Sequence, residues 1–286
     1  MTQDFVERRI TSQDGLSLYV RDYPGPEDSP HLPLLCLGGL TRNSKDFAGI
    51  GKYLGRSRRV ICPDIRGRGR SDYDPNWKNY HPETYVGDVH HILCALGIHG
   101  VVVIGTSMGG IMGMAMSAAM PGVLKGLVLN DVGPIIRLHD LERIIDYMKT
   151  PPSLPDWPAA GRHLRDAFSG EYVVADDAGW TRAARLSYVE GDDGRITFDW
   201  DAHILKPILA DPTKIHDLWH LFKGTGRIPV LTVRGAKSSI LDETQLAEMS
   251  AVHKNMQSVV VPDVGHAPSL GEPKCVEALN GFLEQF

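Results

Sequence analysis

Val101-Val102-Val103-Ile104-Gly105-Thr106-Ser107-Met108-Gly109-Gly110 is the stretch that decides the fold. Its first four residues are β-branched and unalternating, as in a strand buried on both faces. The run stops at a glycine, and Gly109 to Met120 has a helical pattern. The local reading is strand, tight turn, helix, with Ser107 at the turn. In that context G-x-S-x-G puts the serine on strained backbone and lifts its hydroxyl clear of the sheet edge. The glycines keep side chains out of a place where strand and helix nearly touch. The helix N-terminus beneath favours developing negative charge. A structural glycine turn produces the same letters, so the flanking strand and helix carry the reading of Ser107 as a nucleophile.

Working outward, similar short runs recur. They are Leu34-Leu35-Cys36-Leu37, Arg59-Val60-Ile61-Cys62, Leu127-Val128-Leu129, Val230-Leu231-Thr232-Val233 and Val259-Val260-Val261. Each ends in Gly, Pro, Asp or Asn. Helical patterns such as Pro82 to Leu96 lie between most of them, which predicts an α/β fold with a mostly parallel central sheet flanked by helices. Phe5 to Thr11 and Leu16 to Asp22, around Asp14-Gly15, predict an N-terminal hairpin.

The alternation breaks between Gly133 and Gly226. Leu138 to Lys149 and Asp177 to Glu190 look helical, and no run resembles a central strand. Trp157, Trp180, Trp200 and Trp219, four of the five tryptophans, fall here with Pro151, Pro152, Pro155 and Pro158. The expected organisation is a core domain in two parts, 1–133 and 227–286, with a helical cap over 134–226. Most cap aromatics are expected to form a satellite core, with one or two lining a pocket.

A serine nucleophile needs a base. Gly265-His266 follows the last apolar run and lies downstream of Ser107, on a loop from which an imidazole can reach over a sheet edge. Most of the other histidines, His90 and His91 among them, fall in helical or loop stretches without that setting. An oxyanion needs two donors: the Met108 amide is one, and the Leu40 amide in Leu37-Gly38-Gly39-Leu40 is the other candidate, although a plain Gly-Gly turn reads the same. Arg42, beside that loop, is a candidate to hold a substrate carboxylate, with a surface salt bridge as the competing reading.

Taken with Pro63-Asp64-Ile65-Arg66-Gly67-Arg68-Gly69-Arg70-Ser71-Asp72 and Val264-Gly265-His266-Ala267-Pro268, these motifs resemble the α/β-hydrolase family over nearly the whole chain. The resemblance implies the fold, a Ser-His-acid triad and a cap after the sixth strand. Gly38 departs from it, since many members carry His there. The larger departure is Ser239, which stands where similar sequences tend to place the acidic residue, in the loop after the seventh strand. Three readings are open. Asp131, ending the sixth strand, supplies the acid; Asp242 reaches back, though it reads more naturally as a helix cap; or the triad is crippled at Ser239. Arg66 and Arg70 read as structural.

The 286 residues carry a net charge of −5 and are 42% hydrophobic. That is enough apolar material for a sizeable core, and the charge gives no reason to expect nucleic acid or an anionic membrane as partner. No secretory leader is evident at the N-terminus and no apolar stretch is long enough to span a bilayer, so a cytoplasmic location is expected. The four cysteines form no C-x-x-C pair, and Cys36 and Cys62 read as buried free thiols. No metal or organic cofactor is implied. The expected substrate is a small acyl compound, an ester or lactone. Carbon–carbon bond hydrolysis of a diketone-type catabolite is the alternative, a low-turnover ligand-binding protein is the alternative from another class, and a cofactor-free oxygenase or lyase is a minor one. Oligomeric state is not legible.

Overall fold

The computed structural model describes residues 4–172, 174, 176–210 and 216–286. Eight strands form the central sheet: β1 (Val6–Thr11), β2 (Ser17–Tyr23), β3 (Leu34–Leu37), β4 (Val60–Pro63), β5 (Val101–Thr106), β6 (Leu124–Asn130), β7 (Val230–Gly235) and β8 (Met256–Val261). Their spatial order is β1-β2-β4-β3-β5-β6-β7-β8. β2 runs antiparallel to both neighbours, and every other pairing is parallel. The helices are α1 (Ala48–Leu54), α2 (Pro82–Ala95), α3 (Met108–Ala119), α4 (Glu142–Lys149), α5 (Trp157–Phe168), α6 (Asp177–Ser187), α7 (Lys206–Leu209), α8 (Trp219–Gly224), α9 (Glu243–Val252) and α10 (Pro273–Leu283).

The unalternating strands make sense once both faces are counted. Successive side chains of a strand point to opposite faces, and here both faces are apolar. Val101 and Val103 of β5 join one buried cluster, with α2 and α3 side chains such as Val89 and Met112. Val102 and Ile104 join the other, with Leu54 of α1 and Leu279 and Phe282 of α10. Each fully buried Val or Ile contributes about 1.5–3 kcal/mol of transfer free energy, so the strand is held from both sides. Cys36, Cys62 and Cys275 sit in this interior as free thiols. Among the described residues no helix is long and apolar enough to cross a membrane.

The last strand departs from the sequence expectation. Among the described residues β8 pairs with β7 alone, as an edge strand does. Val261 is buried in the α10-side cluster and Val259 packs against it, whereas Val260 is 40% exposed. A run of three valines thus marks one covered face, not two.

Helices α4 to α8 all lie between β6 and β7, together with two short antiparallel pairs, Ile135–Ile136 with His216–Asp217 and Tyr188–Glu190 with Ile196–Phe198. The helical pattern expected to run through Glu190 therefore ends at Ser187. The pair begins there because Tyr188, Phe198 and Trp200 are buried, with the Phe198 and Trp200 rings stacked at 4.3 Å. α5 has no counterpart in the sequence reading. Asp156 caps it by accepting from the Ala159 amide at 2.7 Å, and Pro158 falls in its first turn, where a missing N–H costs nothing.

In the loop after β4, Arg66 is buried and bonded to Asp88, Asp74 and Asp14 at 2.6–2.7 Å. The guanidinium bonded to it holds the Asp14 carboxyl down at about 2. Removing one partner of such a buried cluster strands the other charges. Arg66→Met is expected to lower the unfolding free energy by about 3–5 kcal/mol, read from urea denaturation at neutral pH.

Candidate active site

Ser107, Asp131, His266 and the turn at Leu40 all lie at the C-terminal ends of sheet strands or in the loops that follow, where a parallel sheet opens its crevice. Ser107 joins β5 to α3 with φ 51° and ψ −115°. A Cβ on Gly105 would come within 2.4 Å of the Gly109 carbonyl oxygen, and one on Gly109 within 2.1 Å of the Leu37 carbonyl oxygen. Glycine at both positions is therefore a packing requirement of the turn. The Ser107 carbonyl accepts the first α3 bonds, from Gly110 at 2.8 Å and Ile111 at 3.2 Å, while its hydroxyl makes no cap bond. The hydroxyl is thus not consumed by the helix it begins.

Asp131 follows β6, fully buried, with φ 57°. Asp tolerates that left-handed backbone better than most residues, and the turn aims its carboxylate across the top of β7. One oxygen accepts the Gly235 amide at 2.8 Å, and the other is 2.7 Å from His266 Nδ1. Facing a carboxylate, Nδ1 is the donor, and in the neutral imidazole of that tautomer Nε2 is the acceptor. His266 and Ser107 line the same cavity.

The other two acid readings find no such geometry. Ser239 is exposed. Asp242 caps α9 by accepting from the Gln245 amide at 2.7 Å and pairs with Arg137. The imidazole is not left without a carboxylate, as the crippled reading requires, because Asp131 occupies that side.

Leu40 and Met108 both line the cavity, and the turn that carries Leu40 passes close to Ser107: a Cβ on Gly39 would be 3.7 Å from Ser107 Cβ. Met108 is the first residue of α3, where an amide has no intrahelical acceptor. Arg42 also lines the cavity, but its Nε is 2.7 Å from Asp46 and, among the described residues, its other side-chain hydrogen bonds go to Asp46 and the Ser187 hydroxyl. Burial works against its charge; the Asp46 carboxylate beside it more than offsets that and keeps it cationic. Its charge is largely answered within the protein.

Two groups at the site carry no sequence signal. Glu171, between α5 and α6, accepts the His266 amide at 2.7 Å while its backbone carbonyl takes the Gly265 amide at 3.1 Å, so the inserted segment holds the histidine loop directly. Arg143 pairs with the same carboxylate. Asn130, next to Asp131, donates to the Pro268 carbonyl at 2.9 Å and ties the loop beyond the histidine to β6.

The cavity measures about 1260 Å³. Ile111 and Ala115 of α3 line it from the sheet side, and Ile144, Leu164, Phe168 and Leu221 from the insertion. Among the described residues none of the four inserted tryptophans lines it; the insertion's aromatic contribution is Phe168, Tyr147 and Tyr172. Burial pushes both tyrosine hydroxyls up, so they are neutral donors, and Tyr147 donates to Tyr188 at 2.9 Å.

The sequence profile of the alpha/beta hydrolase fold matches residues 33–177. The chain is 35% identical over 262 residues to a 3-hydroxybutyrate-oligomer hydrolase of Cupriavidus necator, covering 87% of each chain. It is 24% identical over 261 residues to a 2-(acetamidomethylene)succinate hydrolase of Mesorhizobium japonicum, covering 88% of this chain and 87% of that one. A crystal structure of an alpha/beta hydrolase from Novosphingobium aromaticivorans superposes with a TM-score of 0.93 at 38% identity over the full length of both chains. The chain belongs to the α/β-hydrolase fold family. It is an enzyme of the hydrolase type.

Proposed function

We propose that the chain is a carboxylic-ester hydrolase working through Ser107, His266 and Asp131, with residues 134–226 as a cap over the site. The observation that carries this reading is the 2.7 Å contact between buried Asp131 and His266 Nδ1, on a cavity that Ser107 shares. His266 Nε2 takes the Ser107 proton as the hydroxyl attacks the ester carbonyl. Asp131 holds the imidazole in that tautomer and offsets the charge it gains. The amides of Leu40 and Met108 receive the oxyanion. The protonated imidazole gives its proton to the leaving alcohol, and water activated by the same Nε2 releases the acid and restores Ser107.

The substrate class follows from the cavity and the relative together. Ligand sites for ordinary small molecules measure about 300–1,000 Å³, and about 1260 Å³ with an apolar lining leaves room for an extended chain. The relative from Cupriavidus necator acts on 3-hydroxybutyrate oligomers by name. A short oligoester of a hydroxyacid fits both. Arg42, already paired with Asp46, is a wall of the acyl pocket more than a carboxylate clamp. A low-turnover ligand-binding protein has less need of a carboxylate on the imidazole, and the Asp131 contact with His266 supports the enzyme reading instead. The linear 3-hydroxybutyrate trimer is expected to be cleaved with a kcat/KM about 10-fold or more above that of p-nitrophenyl acetate, because added contacts raise transition-state binding. A trimer that is inert while the acetate is cleaved would overturn the oligoester assignment.

A further inference from the structure

Arg68 is fully buried, and among the described residues it forms no ion pair with a carboxylate. Its neighbour two positions earlier, Arg66, is met by three. Arg68 instead donates to neutral groups: Nε to the Leu40 carbonyl at 2.9 Å, and Nη1 to the Arg66 carbonyl at 2.8 Å and the Tyr85 hydroxyl at 2.9 Å. Nη2 lies 3.7 Å from Met108 Sδ. The guanidinium carbon is 4.8 Å from the centre of the Tyr85 ring and 5.9 Å from that of Tyr80. Asp201 accepts the Tyr80 hydroxyl at 2.6 Å and makes no ion pair with Arg68.

A buried guanidinium without an anion is an expensive arrangement. Among the described residues every group its side chain touches is either a neutral dipole or a ring face, and Nη2 meets only a thioether, so neither its last donors nor its charge is fully answered. Two of its partners, Leu40 and Met108, are the residues whose amides the proposed mechanism assigns to the oxyanion. We propose that Arg68 is a positioning residue for that pair: it ties the Leu40 turn to the first turn of α3, and its unanswered charge is matched when the oxyanion develops. The negative charge exists only during the tetrahedral stage, so the interaction favours the transition state over bound ester. This inference rests on the Ser107 mechanism above.

The test is kinetic. Arg68→Met removes the charge at similar volume, Arg68→Gln keeps a donor for the Leu40 carbonyl, and Arg68→Lys keeps the charge but not the fork. Each is assayed for kcat and KM on p-nitrophenyl butyrate and for Ki of an alkyl trifluoromethyl ketone, whose adduct with serine carries an oxyanion. In Arg68→Met, or in Arg68→Gln where the first variant does not fold, kcat falls on the order of 10²-fold with KM little changed. Ki rises by the same factor, and Arg68→Lys recovers part of both. A folded neutral variant with unchanged kcat and Ki overturns the inference, as does a loss that Arg68→Lys does not relieve or that falls on KM alone. A fluorophosphonate applied to the unaltered chain separates the two readings. Failure to label Ser107 sinks the mechanism itself, whereas normal labelling with unchanged Arg68 kinetics sinks only the role of Arg68.

Discussion

Asp131→Asn is expected to lower kcat on an ester by on the order of 10⁴-fold with KM changed only a few-fold. The amide keeps the shape of the carboxylate but offers an NH₂ or a neutral oxygen to His266 Nδ1. The imidazole then loses the tautomer that leaves Nε2 free, and its positive charge during attack is no longer offset. Asp131 is also buried and accepts the Gly235 amide, so its side is shielded from bulk solvent. The companion change, Ser239→Asp, is expected to alter kcat by less than about threefold, as for a substitution at an exposed surface position. Initial rates of the two variants beside the unaltered chain decide the question. A large gain from Ser239→Asp, or a mild effect of Asp131→Asn, would move the acid away from the sixth strand.

Ser107→Ala carries the other large effect, a loss of on the order of 10⁴-fold or more in kcat, because nucleophile and base act as a unit. The fold is expected to survive it. The hydroxyl makes no cap bond, and alanine places the same Cβ on the same backbone, so unfolding free energy should change by less than about 1 kcal/mol. Urea denaturation of the variant separates loss of chemistry from loss of structure. Activity retained to within tenfold would assign the nucleophile elsewhere.

Much of this architecture is legible in the residues because two local patterns dominate it. Apolar runs such as Val101 to Ile104 mark the buried strands, and the G-x-S-x-G turn after one of them fixes where the crevice opens. His266 follows from the same logic, since it follows an apolar run, whereas Asp131, which ends one, competes in the sequence with Asp242 and with a triad crippled at Ser239. The insertion is less legible. α5 begins with Asp156-Trp157-Pro158, a cap and first-turn proline that sit among other prolines and so look like connector. β8 shows that a valine run does not count the faces it covers. Glu171 carries no pattern at all, and Arg68, though it falls in the 63–72 stretch, carries none that marks it off from Arg66 and Arg70. One gains its place by tertiary approach to the histidine loop, and the other by burial beneath a turn that is 28 residues away in sequence.

The most direct test of the account is a rapid-quench reaction with p-nitrophenyl butyrate, followed by mass spectrometry of the digested chain. The account predicts a butyryl group on the peptide that contains Ser107, formed in a burst and absent from Ser107→Ala. Steady hydrolysis with no acylated peptide, or with the acyl group on another residue, would contradict it.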